Sequence, residues 1–220
     1  MGDQVAEKDP VLASKKWTRF LPLLLVIAVA VILVLSYTSL TYYQQAKDRD
    51  AKYKAQYGLA QMMELSLSNM VTSMNMMMND SYNLTQRYQF GQVAQISFDE
   101  LSWSCEVMKN MYSSASEEYL TFGELEHASS STRVACGHML EKMWQNLTTG
   151  EPYVHNATFE TTISLANPLF QSIAFCIGQG FQNQDWQREP YSAVNGMDLE
   201  GIRTNAGQIV DSMSPWVSPW

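Results

Sequence analysis

The sequence predicts an all-α protein: one N-terminal transmembrane helix followed by an extracytoplasmic up-and-down helical bundle of about four helices. Three observations predict it. Residues 20–35 read FLPLLLVIAVAVILVL, sixteen residues without a charge. Beyond residue 41 the apolar residues recur at steps of three and four, the spacing of one helix face. No stretch alternates with period two, so a sheet is not expected.

The apolar run comes first. Extended through Leu40 it spans twenty-one residues, about 31 Å of helix, which matches the hydrocarbon core of a bilayer. A cleavable signal peptide has a shorter apolar stretch, about 7–15 residues, and ends on small residues. Here the run is longer, and the nearest cleavage match, Val34-Leu35-Ser36, is poor. The segment therefore reads as an uncleaved signal-anchor. Pro22 falls in its first turn, where backbone donors are unpaired anyway.

Orientation follows from two signals. Lys8, Lys15, Lys16 and Arg19 precede the span and Lys47, Arg49, Lys52 and Lys54 follow it, a tie by count. Proximity breaks the tie, because Lys15, Lys16 and Arg19 abut the apolar edge and Lys47 stands seven residues beyond Leu40. Basic residues favour the cytoplasmic side. Four N-glycosylation tripeptides begin at Asn79, Asn83, Asn146 and Asn156, all after the span and none before it. The expected organisation is a short cytoplasmic tip at 1–19, a transmembrane helix at 20–40, a bundle at 41–182, and a loop, weak helix and Trp-containing tail at 183–220. Met1-Gly2 does not form a myristoylation motif, because position 6 is Ala6.

Composition narrows the function. Beyond the span lie ten basic and nineteen acidic residues, a net of −9. So acidic a surface argues against nucleic acid and against anionic lipid as ligands of the outer region. Its length, about 180 residues, is enough for one domain with its own core. Cys105, Cys136 and Cys176 all lie in that region. Two readings stand for them: one disulfide with a spare thiol, or three small buried hydrophobes.

The helices follow in order. Leu59, Met63, Leu67, Met70, Met74 and Met77 mark the first outer stripe, stopped by Asn79-Asp80, with a second break at Gly91. Ala94, Phe98, Leu101, Cys105, Met108 and Tyr112 form a heptad seam, and Gly123 is read as the next turn. Leu125, Ala128, Thr132, Cys136, Met139, Met143 and Leu147 form a third stripe, ending at Gly150 and Pro152. Residues 159–181 make a fourth helix, with Thr158 as its cap and Pro168 as a kink or start. Met197, Ile202, Ala206, Ile209, Val210 and Met213 suggest a weak last helix interrupted by Gly201 and Gly207. Alternating directions would gather all four acceptor asparagines at the membrane-distal end.

Catalytic chemistry finds little purchase. Seven methionines crowd residues 62–78, and Met70, Met74 and Met77 share a face that would suit Cu(I). Methionine is more often flexible core filler, so this remains a minor reading. Glu124/His127 and His138/Glu141 each have i,i+3 spacing, yet the two histidines sit about 16 Å apart along one helix and cannot share a metal. His155 lies in a loop. No nucleophile elbow, metalloprotease, phosphate-loop or dinucleotide motif occurs. The adjacent acids Asp99-Glu100 and Glu117-Glu118 diverge on a helix and read as surface. Ser214-Pro215-Trp216 and Ser218-Pro219-Trp220 repeat a tripeptide, which makes Trp216 and Trp220 candidate partner-docking residues.

The expected protein is thus a non-enzymatic, single-pass membrane glycoprotein. It meets the bilayer through residues 20–40 and a protein partner or second copy through its outer bundle, with no cofactor and no nucleic acid. A ligand-sensing ectodomain acting through a separate signalling partner is the alternative.

Overall fold

The computed structural model describes residues 10–150, 157–182 and 193–217. Side chains are described at Val26 and, apart from Ala157 and Ala193, from Val29 onward. Among these residues all regular structure is helical: α1 (Pro10–Met78), α2 (Leu84–Lys109), α3 (Glu117–Thr149), α4 (Ala157–Gln182), a 3-10 turn (Ala193–Gly196) and α5 (Leu199–Val217). The chain divides into two compact units, Met1–Ala51 and Lys52–Trp220.

In the first unit the described helical backbone runs from Pro10, so it includes residues 10–19. Val29, Val31, Ile32, Leu33, Val34, Leu35 and Leu40 are all exposed. Thr38 and Thr41 turn their hydroxyls back onto the carbonyls of Leu35 and Tyr37, at 3.0 and 3.1 Å, and so hide their polarity inside the helix. Among the described residues no helix is long and apolar enough to cross a membrane. The described side chains of the apolar run are Val26 and the twelve residues 29–40, and the front of the run lies outside them.

Among the described residues the second unit is a bundle of five α-helices. From α1 it takes the part beyond Lys52. Antiparallel pairing of α1 and α2 is fixed by Gln56 Nε2 donating to Tyr112 Oη at 2.8 Å at one end, and by Arg87 Nε donating to the Met77 carbonyl at the other. Ser102 with Ser130, and Gln95 donating to the Arg133 carbonyl, set α3 antiparallel to α2. Asn167 donates to Asn75, and the Tyr57 and Phe181 rings meet edge-on at 5.2 Å, so α4 descends beside α1. Asn205 donates to Ser172, and Trp216 Nε1 to Thr162, so α5 climbs back along α4. The expected "about four" helices become five because Ile202, Ala206, Ile209 and Met213 are fully buried. They make α5 part of the core rather than a tail appendage.

The stripes predicted for the first two outer helices are the observed core faces. All six residues of the first stripe are buried, as are Ala94, Phe98, Leu101, Cys105 and Met108 of the second. Burying a residue the size of Phe98 contributes roughly 1.5–3 kcal/mol, so these rows dominate the stability of the unit. In the third, Leu125 through Met143 are buried while Leu147 is exposed, because it lies in the last turn, where α3 leaves the core.

The glycine breaks are corrected. Gly91 lies inside α2, which starts earlier at a capping box: Asn83 Oδ1 accepts from Gln86 N–H at 2.9 Å, and Gln86 Oε1 accepts from Asn83 N–H at 3.1 Å. Gly91 is small because Leu140 and Met77 pack against its Cα; an added Cβ would lie 2.3 Å from Leu140 Cδ2. Gly123 is likewise inside α3, whose cap is Ser116. The real turn is residues 110–116, rich in Ser. Thr158 and Pro168 sit within α4, and Gly201 and Gly207 within α5, without breaking either helix. Gly150 does end α3, in the left-handed conformation at φ 72° that glycine adopts freely.

Candidate functional site

The end of the bundle opposite Lys52 holds three of the four Asn-x-Ser/Thr tripeptides. Asn79 follows the end of α1, Asn83 caps α2, and Asn146 lies in the last turn of α3. All three meet at one end, as the alternating directions imply; Asn156 lies outside the described residues. At their centre is Arg87, a residue that periodicity did not single out. Its guanidinium is buried: Nε donates to the Met77 carbonyl and Nη1 to Asp80, both at 2.7 Å, with Glu160 4.0 Å from Nη2. It satisfies an orphan carbonyl at the end of α1 and ties the α1–α2 turn to α4. The legible signal was a lone basic residue one turn inside α2, surrounded by polar neighbours.

The three cysteines are free thiols, and all are buried. The disulfide reading is therefore corrected: they serve as small core residues. Cys105 Sγ lies 3.6 Å from Met63 Sδ. Burial pushes the Cys105 thiol far up and the Cys136 thiol up to about 12. Cys176 is raised by burial first and then by the Asp198 carboxylate beside it. None is an activated nucleophile.

Met70, Met74 and Met77 are fully buried and belong to the continuous apolar core. His127 and His138 are exposed on α3, and His155 lies outside the described residues. Among the described residues no group of three His, Cys, Asp or Glu side chains is placed to hold a metal. Asp99 and Glu100 are surface residues but not free ones: Asp99 pairs with Arg133 at 2.8 Å, and Glu100 accepts from Ser66.

Trp216 folds back onto α4. Its ring meets Phe159 edge-on at 5.3 Å and its Nε1–H is directed at Thr162 Oγ1. That anchor is used within the chain; Trp220 lies outside the described residues. The open apolar surface lies elsewhere. Met62 and Leu65 on α1, Val93, Ile96 and Trp103 on α2, and Leu165 and Phe175 on α4 are exposed, Phe175 at 63%. Residues 96 and 103 are seven apart and so share the outer face of α2. A groove of about 520 Å³ runs between α3 and α5, lined by Glu117, Glu124, Glu200 and Asp211 with Arg203. Sequence reading missed it because it joins helices eighty residues apart.

No family model, no curated protein and no solved structure matches the chain.

Proposed function

We propose that this protein is a single-pass, membrane-anchored, extracytoplasmic helical bundle with a non-enzymatic structural or partner-binding role. One observation carries the anchor: a helix that is apolar around its whole circumference at 29–35, with those side chains exposed. Such a helix belongs in a hydrocarbon solvent or a large protein core. With the apolar sequence ahead of it, residues 20–28, and the uncharged residues 36–40 behind it, the run reaches twenty-one residues, about 31 Å and so bilayer length. The basic residues before the run and the acceptor tripeptides after it support a cytoplasmic N-terminus and an exterior bundle.

The binding role is supported by exposed Trp103, Ile96, Leu65 and Phe175 on a unit whose own core is already filled. Solvent-facing aromatic and aliphatic groups of this size anchor protein contacts. The sequence carries no motif that pairs a nucleophile with its base, which favours interaction over catalysis. The alternative, a ligand-sensing ectodomain, is favoured by the α3–α5 groove, whose acid lining suits a cationic ligand.

Protease added to sealed right-side-out vesicles tests the topology. Digestion of the bulk with survival of a short N-terminal stub is expected. Survival of the whole chain until detergent is added would overturn it. Crosslinking full-length protein in the same vesicles, with a thermal-shift screen of small cations alongside, separates partner binding from ligand sensing.

A further inference from the structure

The acceptor tripeptides are not equivalent once folded. Asn79 and Ser81 are both exposed in the turn between α1 and α2. Asn79 Oδ1 accepts from Ser81 N–H at 2.9 Å and also from the Ser81 hydroxyl. This side-chain turn bends the backbone out of helix and brings the acceptor carboxamide against the hydroxyl of its own motif. Asp80, between them, pairs with Arg87 at 2.7 Å.

The other described acceptors are committed to helices. Asn83 Oδ1 caps α2, and its Thr85 already lies in the first turn. Asn146 is half-buried in α3, and the Thr148 hydroxyl is directed at the Trp144 and Gln145 carbonyls at 2.8 and 3.2 Å. A glycosyltransferase must take the acceptor segment into its own cleft. A helical segment must first give up its i→i−4 hydrogen bonds, whereas an exposed turn need not.

We infer that, among the described acceptors, Asn79 is the principal glycan acceptor and the one open to modification on the folded chain, whereas Asn83 and Asn146 are accessible only before their helices form. The inference rests on the exterior placement proposed above. In the transfer, Asn79 Nδ2 forms a bond to the anomeric carbon of a polyprenyl-diphosphate-linked oligosaccharide. The carbon–oxygen bond to the diphosphate breaks, the diphosphate leaves with the electron pair, and the Nδ2 proton passes to a base of the transferase.

The test is site-by-site occupancy of the full-length protein made in a eukaryotic secretory cell, mapped by enzymatic deglycosylation in heavy-oxygen water and mass spectrometry. Asn79 is expected to carry higher occupancy than Asn83 and Asn146. Asn79→Gln and Ser81→Ala should each lose one glycan step in gel mobility, while Ser81→Thr, which keeps the hydroxyl, retains it. A bare Asn79 beside an occupied Asn83 or Asn146 overturns the assignment while leaving the exterior placement standing. All four sites bare overturns both.

Discussion

Arg87 reaches back ten residues to donate its Nε–H to the Met77 carbonyl at 2.7 Å, at a point where the carbonyls of α1 run out of helical partners. Its second contact, Asp80, is four-fifths exposed, so that ion pair adds little. The dominant effect is satisfaction of a carbonyl inside a buried junction. Arg87→Met is therefore expected to cost about 1–3 kcal/mol, the penalty for stranding a buried acceptor. Asp80→Ala should cost less than about 1 kcal/mol. Thermal melts of the full-length protein in detergent check the order; equal losses would mean that the ion pair matters more than the carbonyl.

Gly91 sets two opposing effects against each other. An alanine in mid-helix gains roughly 0.5–1 kcal/mol over glycine. Its Cβ, however, would press on Leu140 Cδ2 and on Met77 Sδ, 2.8 Å away, and overpacking costs typically about 1–3 kcal/mol. Gly91→Ala is thus expected to destabilise slightly, and Gly91→Val by about 2–3 kcal/mol. In a Leu140→Ala background the nearest obstacle is gone and only the flexible Met77 thioether must shift, so Gly91→Ala should turn stabilising. Denaturant titrations of the four chains test that reversal of sign.

The buried thiols predict an alkaline limb. Cys136 is raised from 9.0 to about 12 by burial. Between those values the unfolded chain has released its proton and the folded chain has not, so rising pH favours unfolding. Stability is fully present below pH 9 and falls by up to roughly 1.4 kcal/mol per pH unit for this group as pH climbs toward 12. Cys105, raised further still, adds to the same limb. Cys136→Ala should flatten the slope whatever it does to stability at neutral pH. An unchanged slope would mean that another group controls the limb, the first suspect being Tyr112, which burial also raises.

The rows that built the core were legible because each is a local periodicity. The spacing Leu59 to Met77 specifies one helix face without knowledge of what covers it. What covers it was not legible. Gly91 and Gly123 read as breaks because glycine's conformational freedom is visible in sequence, whereas Leu140 packed against Gly91 is a contact between residues far apart in the chain. The cysteines stood between two readings for a related reason: sequence permits either a disulfide or small buried residues, and only geometry shows three free thiols buried in the core. Arg87 and the α3–α5 groove are long-range objects of the same kind. Trp216 lay between these cases. Its exposure in an extended tail followed from the neighbouring prolines, but α5 continues through Pro215 to Val217 and brings the ring onto Phe159.

The proposed partner role makes its sharpest demand on the outer face of α2. Ile96 and Trp103 are more than half exposed and project from a helix whose inner face already holds Phe98, Leu101 and Cys105. Substituting them therefore removes apolar surface from solvent contact without opening the core, and stability should change by no more than about 0.5 kcal/mol. Interfaces concentrate their energy in a few such side chains, with losses of about 2 kcal/mol or more on truncation. The double variant Ile96→Lys/Trp103→Lys should therefore keep the melting temperature of the parent while losing most of its crosslinked adducts in native membranes. Leu165→Lys/Phe175→Lys on α4 serves as the matched control with the same charge change. Loss of adducts in the α4 variant alone would move the contact to that face, and retention in both would count against a binding role for either.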